Sequence, residues 1–210
     1  HSSAASDVYK RQVKDLDSLL DALDSKVDIS EDLIILPGMV ADSLAHASPW
    51  DNIHDKLLID ATTPLEDDPR SRRESLKGCP ESLEVSASGI DGVIQARFLR
   101  SSMLVVTTKI EGGPSPEENV EENDEEGALR QRAKIQKIME SIWNLEGAKS
   151  LRWLFITDSD VDLYDDGWMR VLLWQFFCRF DVGRDLHFDS DKKRVCWDAT
   201  APIPSQEGPV

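Results

Sequence analysis

The sequence predicts an α/β fold: a mixed sheet with flanking helices, arranged as two related helix–turn–strand units. Three observations carry this. First, segments with a helical apolar period alternate along the chain with short, continuous apolar runs typical of strands. Second, LLDALDSKVDISEDL (Leu19 to Leu33) lies over LLWQFFCRFDVGRDL (Leu172 to Leu186) at a constant offset, pairing Lys26 with Arg179, Asp28 with Asp181, Ile29 with Val182 and Asp32 with Asp185. Third, each copy then reaches a second shared signature, IDATTP (Ile59 to Pro64) or WDATAP (Trp197 to Pro202), with a longer intervening loop in the first copy. Two copies are too few for a solenoid, so the repeat implies a packed pair of units.

The elements follow in order. From Val13, Leu16, Leu19, Leu20 and Leu23 mark one face of a helix. DLIIL (Asp32 to Leu36) reads as a short buried strand stopped by Pro37-Gly38, and KLLID (Lys56 to Asp60) as a second strand. Between the helix and the first of these strands Asp28, like Asp181 in the other copy, is suited to turn the chain through a local side-chain hydrogen bond. DDPRSRR is a polar loop. Val85 to Ile110 holds strand-like runs, GVIQARFL and MLVVTTKI, broken into a hairpin at Arg100-Ser101-Ser102. Glu111 to Gly127 is a low-complexity acidic segment. It lacks the spacing of a calcium loop and reads as a solvated, mobile connection. Gln131, Ile135, Ile138, Ile142 and Leu145 form a helical face, with Glu125 and Glu126 near its start and Gly147 as its stop. RWLFITDSD (Arg152 to Asp160) is a buried strand running into an acidic turn. GWMRVLLWQFFCRF (Gly167 to Phe180) is apolar almost all round and predicts a buried helix. DLHF and RVCWDA close the fold as short strands.

Residues Ser2 to Gln12, SSAASDVYKRQ, translate codon for codon from a transposase-type sequencing adapter. We therefore read residues 1–12 as an adapter-derived scar on a reading frame assembled from environmental DNA, and expect the native N-terminus to be missing. Residues 13–78 are expected to form the first repeat-like α/β unit. Residues 79–210 are expected to form a C-terminal α/β domain containing the acidic loop 111–127.

The chain of 210 residues has 24 Lys and Arg against 40 Asp and Glu, a net charge of −16. Such a surface repels phosphate backbones and anionic membranes, which argues against nucleic-acid partners. Its apolar runs are shorter than a transmembrane segment needs. Cys79, Cys178 and Cys196 have no CxxC spacing and read as buried or free thiols of a reducing cytoplasm.

Motifs of catalysis are sparse. GxSxG, HExxH, Walker A and GxGxxG are absent from the sequence. His1 falls in the scar; His46, His54 and His187 have no metal partners at recognisable spacing. Asp158, Asp160, Asp162, Asp165 and Asp166 follow a buried strand and are the candidates for a Mg²⁺ or phosphoryl-transfer site. No glycine-rich phosphate loop accompanies them, so a polar turn with Asp caps before the Trp168 helix is the expected role. The two Asp-Ala-Thr exits are the other candidates, and their duplication favours a structural turn.

The second half, KIQKIMESIWNLEGAKSLRWLFITDSDVDLYDDGWMRVLLWQFFCRFDVGRDLHF followed by WDAT, resembles the C-terminal domain of UbiD-family decarboxylases. The resemblance lies in IWNL, LFITDSDVDL, LLWQFFCRF, RFDVGRDL and WDAT, with Val182 where the family carries proline. CPESLEVSASGI followed by MLVVTTKI resembles the segment leading into that domain. The earlier copy, VDISEDLIIL, resembles the longer bacterial members tied to quinone biosynthesis. The resemblance implies a carboxy-lyase of aromatic or unsaturated acids that uses prenylated FMN with a divalent metal and K⁺. It also implies that the Glu-Arg-Glu catalytic set and the flavin site lie upstream. No position here matches those motifs, so no catalytic, cofactor-binding or metal residue is assigned. The implied partners are a missing N-terminal flavin domain and further copies of the chain, and the fragment alone is expected to be inactive. The alternative is a stand-alone acidic protein-interaction module without enzymatic activity.

Overall fold

The computed structural model describes residues 15–40, 53–62, 76–109 and 125–201. Residues 1–12, read above as an adapter-derived scar, His46, the DDPRSRR loop and residues 111–124 of the acidic segment lie outside these.

The first unit begins with α1 (Leu16–Lys26). Asp15 caps it, accepting from the Ser18 amide at 2.8 Å, while the Ser18 hydroxyl receives the Asp15 amide at 3.2 Å. This reciprocal pair satisfies two donors that a helix start leaves orphaned. A one-turn helix, α2 (Ile29–Asp32), follows and leads directly into β1 (Leu33–Val40), which pairs antiparallel with β2 (Ile53–Ile59). Two expectations fail here. β1 does not stop at Pro37-Gly38 but crosses it with a register shift between Leu36 and Met39, Gly38 taking the left-handed φ of 64°. Nor is β1 buried: Ile34, Ile35, Leu36, Met39 and Val40 are exposed. A two-stranded hairpin has no second layer of its own, so its apolar run stays in solvent.

Ahead of the strand-like runs GVIQARFL and MLVVTTKI lies a helix that the sequence did not lead us to expect, α3 (Ser82–Ser88). Local spacing of Leu83 and Ala87, both fully buried, places them on one face. β3 (Val93–Arg100) and β4 (Met103–Thr108) form the expected hairpin around Ser101 and Ser102. Next comes α4 (Glu125–Trp143), which starts inside the segment expected to be loop. It is followed by Gly147 at φ 87°, where a Cβ would press on Pro80 at 2.6 Å. The stop therefore needs glycine twice over, for its backbone and for its neighbour.

β5 (Trp153–Asp158), α5 (Trp168–Arg179), one-turn α6 (Val182–Asp185), β6 (Leu186–Phe188) and β7 (Val195–Asp198) complete the chain. The main sheet has the order β3-β4-β5-β7-β6, with β4, β5 and β7 parallel and the two outer strands antiparallel. Alternation along the central strands sorts the core. Leu104, Val106, Leu154, Ile156 and Cys196 meet α3 and α4, including Leu83, Ile135, Ile138 and Ile142. Met103, Trp153, Val195 and Trp197 face the other way, onto Leu20, Val27 and Ile29 of the first unit and Phe176 and Phe180 of the second. The result is a mixed α/β architecture of three layers.

The repeat is visible in atomic detail. Asp28 accepts from the Ser30 amide, and Asp32 accepts the Asp28 amide at 2.9 Å. Asp181 accepts from Gly183 and Arg184, and Asp185 accepts the Asp181 amide at 2.8 Å. Leu33 pairs with Ile59 as Leu186 pairs with Trp197. Each Asp-Ala-Thr exit closes in the same way, Asp60 accepting the Thr62 amide and hydroxyl, and Asp198 those of Thr200. Leu23 and Phe176 both pack on one core cluster. The copies differ in setting: β6 and β7 belong to the five-stranded sheet, whereas β1 and β2 stand apart from it.

Candidate functional site

The chemistry-bearing side chains gather at the carboxyl ends of β5 and β7. Asp158 is the last residue of β5, and the Arg179 guanidinium from the end of α5 donates to its Oδ2 at 2.6 Å. The Ala201 amide donates to the same oxygen at 2.9 Å, while Asp158 Oδ1 is buried with no hydrogen-bond partner. Burial raises the Asp158 carboxyl above its ordinary range, against the pull of the Ala201 amide and Arg179. Asp160 is tied to the same helix: Gln175 Nε2 donates to it at 2.6 Å, and Gln175 Oε1 accepts from Thr157 at 2.5 Å.

Asp198, at the end of β7, is pushed up to about 7 by burial, opposed by the Thr200 hydroxyl and amide and reinforced by Asp185 and Asp158. On α6, Arg184 makes a two-pronged contact with Asp185 at 2.6 and 2.7 Å and donates to the Arg179 carbonyl. His187 lies beside this group, its pKa lowered by burial and pulled back up by Asp185. Gln131 of α4 reaches the Thr200 hydroxyl and the Ala201 carbonyl at 2.8 and 2.9 Å. The arrangement holds the outgoing chain at 198–201 between β5, α4 and α6.

The five acidic candidates divide. Asp158 and Asp160 face α5. Asp162 turns the other way, accepting from the Tyr164 amide and from Gln95 of β3, and these hydrogen bonds lower its pKa. Asp165 accepts the Gly167 amide at 3.3 Å ahead of α5. Asp166 is exposed. The expected polar turn is therefore present, but the expected Asp cap is not: the N-cap of α5 is Gly167, which has no side chain to accept the first helical amides. What the sequence reading missed is the set of cations that meet the acids, Arg179 and Arg184. The repeated Lys26/Arg179 position was their available signal.

These residues do not fit a flavin phosphate with its metal. Arg179 and Arg184 are both committed to carboxylates at 2.6 Å. No group of three His, Cys, Asp or Glu side chains among the described residues is arranged to hold a metal ion. Of the histidines, His54 lies in β2 and His187 in β6. Cys79, Cys178 and Cys196 are unpaired with one another; burial raises Cys79 to about 11 and Cys196 well above its ordinary value, so neither is poised as a nucleophile.

Residues 119–206 match the family model UbiD_C, the 3-octaprenyl-4-hydroxybenzoate carboxy-lyase C-terminal domain. Among solved structures, the chain is similar to an evolved dimeric form of the UbiD-class enzyme HmfF from Pelotomaculum thermopropionicum in complex with prFMN. The identity is 14% and the TM-score 0.39, over 59% of this chain and 25% of that one. It is also similar to vanillic acid decarboxylase from Sedimentibacter hydroxybenzoicus in open form, at 12% identity and a TM-score of 0.41, over 61% of this chain and 27% of that one. The chain thus spans about a quarter of the length of these structures. No curated protein matches it. Among the described residues no helix is long and apolar enough to cross a membrane.

Proposed function

We propose that the chain is the substrate-side and oligomerisation portion of a UbiD-like non-oxidative decarboxylase, acting on an aromatic or unsaturated acid in menaquinone or ubiquinone biosynthesis in the cytoplasm. The match of residues 119–206 to the UbiD C-terminal domain carries the reading. In this reading residues 1–12 are adapter-derived, 13–78 form the first repeat-like unit and 79–210 the UbiD-like domain. Prenylated FMN, a divalent metal and K⁺ are held by an N-terminal flavin domain that these 210 residues do not include. The commitment of Arg179 and Arg184 to carboxylates supports placing the flavin elsewhere.

The test is to extend the reading frame upstream through overlapping DNA and assay the joined protein. The expected result is a flavin domain with a Glu-Arg-Glu set, prenylated-FMN-dependent CO₂ release from the joined protein, and none from the chain alone. A native start codon close to Val13, or decarboxylation by the chain alone, would overturn it.

A further inference from the structure

The outer face of α5 lies in solvent, although the sequence predicts a helix buried all round: Trp174 is 71% exposed and Phe177 70%. The hairpin β1–β2 exposes a second apolar surface. Ile34 and Leu58, partners across the hairpin, are 47% and 52% exposed, and Leu36 on the same face is 39% exposed. Among the described residues β2 pairs with no strand but β1. A two-stranded hairpin is marginal by itself, and an apolar strand with a free edge invites a partner.

The second copy shows what fills the equivalent place. Register is kept between the copies. Leu33 opposite Ile59 and Ile34 opposite Leu58 answer to Leu186 opposite Trp197 and His187 opposite Cys196. One face of the two hairpins is treated alike, since Leu33, Leu57 and Ile59 join the same core cluster as Leu186, Val195 and Trp197. The opposite faces differ. Cys196 is fully buried in one cluster with Ile135, Ile138 and Ile142 of α4, and half-buried His187 feels the charge of Arg132 on that helix. Their counterparts Leu58 and Ile34 are exposed. The edges differ too. β7 takes β5 in parallel, Leu154 beside Cys196 and Phe155 beside Trp197, whereas the matching edge of β2 pairs with no strand among the described residues.

We propose that this edge and face of the hairpin receive a helix–strand segment of the α4–β5 kind, supplied by the native residues that precede Val13 in the same polypeptide. Its strand lies parallel to β2 across Leu57 to Asp60, and its helix covers Ile34, Leu36 and Leu58. The contact of Gly183 with β2 falls at Asp55, ahead of this stretch. Chain order fixes the source. In the second copy α4 and β5 come directly before α5, so their counterparts come directly before α1. Connectivity agrees, because parallel strands need a crossover, and α1 stands where α5 makes that crossover between β5 and the β6–β7 hairpin. The first unit is then the closing part of a second domain of the same architecture. The two domains meet through α1 and α5, whose Leu20 and Phe176 share one core cluster. A second copy of the chain suits the site less well. Two β2 edges placed together would bring two chains of net charge −16 into contact and supply no helix for the exposed face.

This inference rests on the reading of residues 1–12 as adapter-derived, and its test separates it from the decarboxylase reading. The joined protein recovered from overlapping DNA is compared with the 210-residue chain. Two rates are measured: hydrogen exchange across β2, and thiol labelling of the variant Leu58→Cys, read by mass spectrometry on the peptide holding position 58. Both are expected to be fast in the chain alone and slower by about tenfold or more in the joined protein. The residues ahead of Val13 are expected to show the pattern of an amphipathic helix followed by an apolar strand. If the variant does not fold, hydrogen exchange of the unsubstituted proteins decides. Equal rates in the two proteins overturn the inference, and so does a native start codon close to Val13. Protection of β2 that grows with the concentration of the chain alone makes a second copy the occupant and overturns it as well. CO₂ release by a joined protein whose β2 stays unprotected sinks this inference and leaves the decarboxylase reading standing. Protection without CO₂ release does the reverse.

Discussion

Asp198 and its partner Thr200 set the pH response at the level of single residues. The unfolded carboxyl titrates near ~4, and the folded one is pushed up to about 7 by burial. The native state therefore holds a proton that the unfolded chain has released. Stability from this group is fully present below about pH 4 and is lost as pH rises through about 7. A shift of this size corresponds to at most about 4 kcal/mol. Asp198→Asn keeps an oxygen to accept from Thr200 and cannot ionise. Its thermal midpoint, followed from pH 5 to 9, is expected to fall much less than that of the wild type; equal falls would remove Asp198 as the cause. Phe180 gives a second test. It stacks on Phe176 at 4.6 Å and on Trp197 at 5.0 Å between ring centroids. Phe180→Ala is expected to cost roughly 3–4 kcal/mol in urea unfolding. Val27→Ala, at the repeat-equivalent and fully buried position, should cost about 2 kcal/mol, because less apolar area is lost.

At the scale of elements, the two one-turn helices are built from one device. An Asp at the cap accepts the following amides, and a second Asp four residues on returns to the cap amide. Residue 182 is the first helical position after the cap. Proline is tolerated there because its missing N–H is one that the helix leaves unpaired, so Val182 in place of the family's proline leaves the turn intact. Asp28→Ala and Asp181→Ala are each expected to cost about 1–2 kcal/mol, with Asp181 the more costly because it is buried. Urea denaturation of both variants checks this, and a neutral Asp181→Ala would contradict the capping role. Helical period, the Asp28 and Asp181 turns and the Gly147 stop were legible because they are local. α3 was missed because its seven residues give too short an apolar pattern to separate helix from strand.

Across the whole molecule, one buried cation joins the first unit to the main sheet. Arg152, at the foot of β5, donates to the Asp24 carbonyl near the end of α1 and to the Lys77 carbonyl, and sits 3.6 Å from the Asp24 carboxylate. Asp24 in turn accepts from Ser101 and Ser102 at the β3–β4 turn. Gly183 of α6 presses close to Asp55 of β2, where a Cβ would lie 2.7 Å from the carboxylate. Replacing Arg152 by Met leaves buried acceptors unpaired and is expected to cost about 2–4 kcal/mol. Hydrogen exchange should then accelerate in α1 while β4 and β5 remain protected, because the core on the α3–α4 side is untouched. Uniform acceleration across the main sheet would argue that the two units unfold together.

The sequence by itself determined what depends on neighbours in the chain: the α/β class, most element positions, the paired Asp turns, the duplicated Asp-Ala-Thr exits and the resemblance of the second half to a UbiD C-terminal domain. It could not determine which apolar residues find a second layer. β1 and the outer face of α5 read as buried because their residues are apolar, yet β1 pairs only with β2, and α5 buries just one side against the sheet. Nor could it match Arg179 with Asp158, or Arg152 with Asp24, pairs far apart in sequence. Burial and ion pairing are set by the packing of layers, and only the tertiary structure brings those layers together.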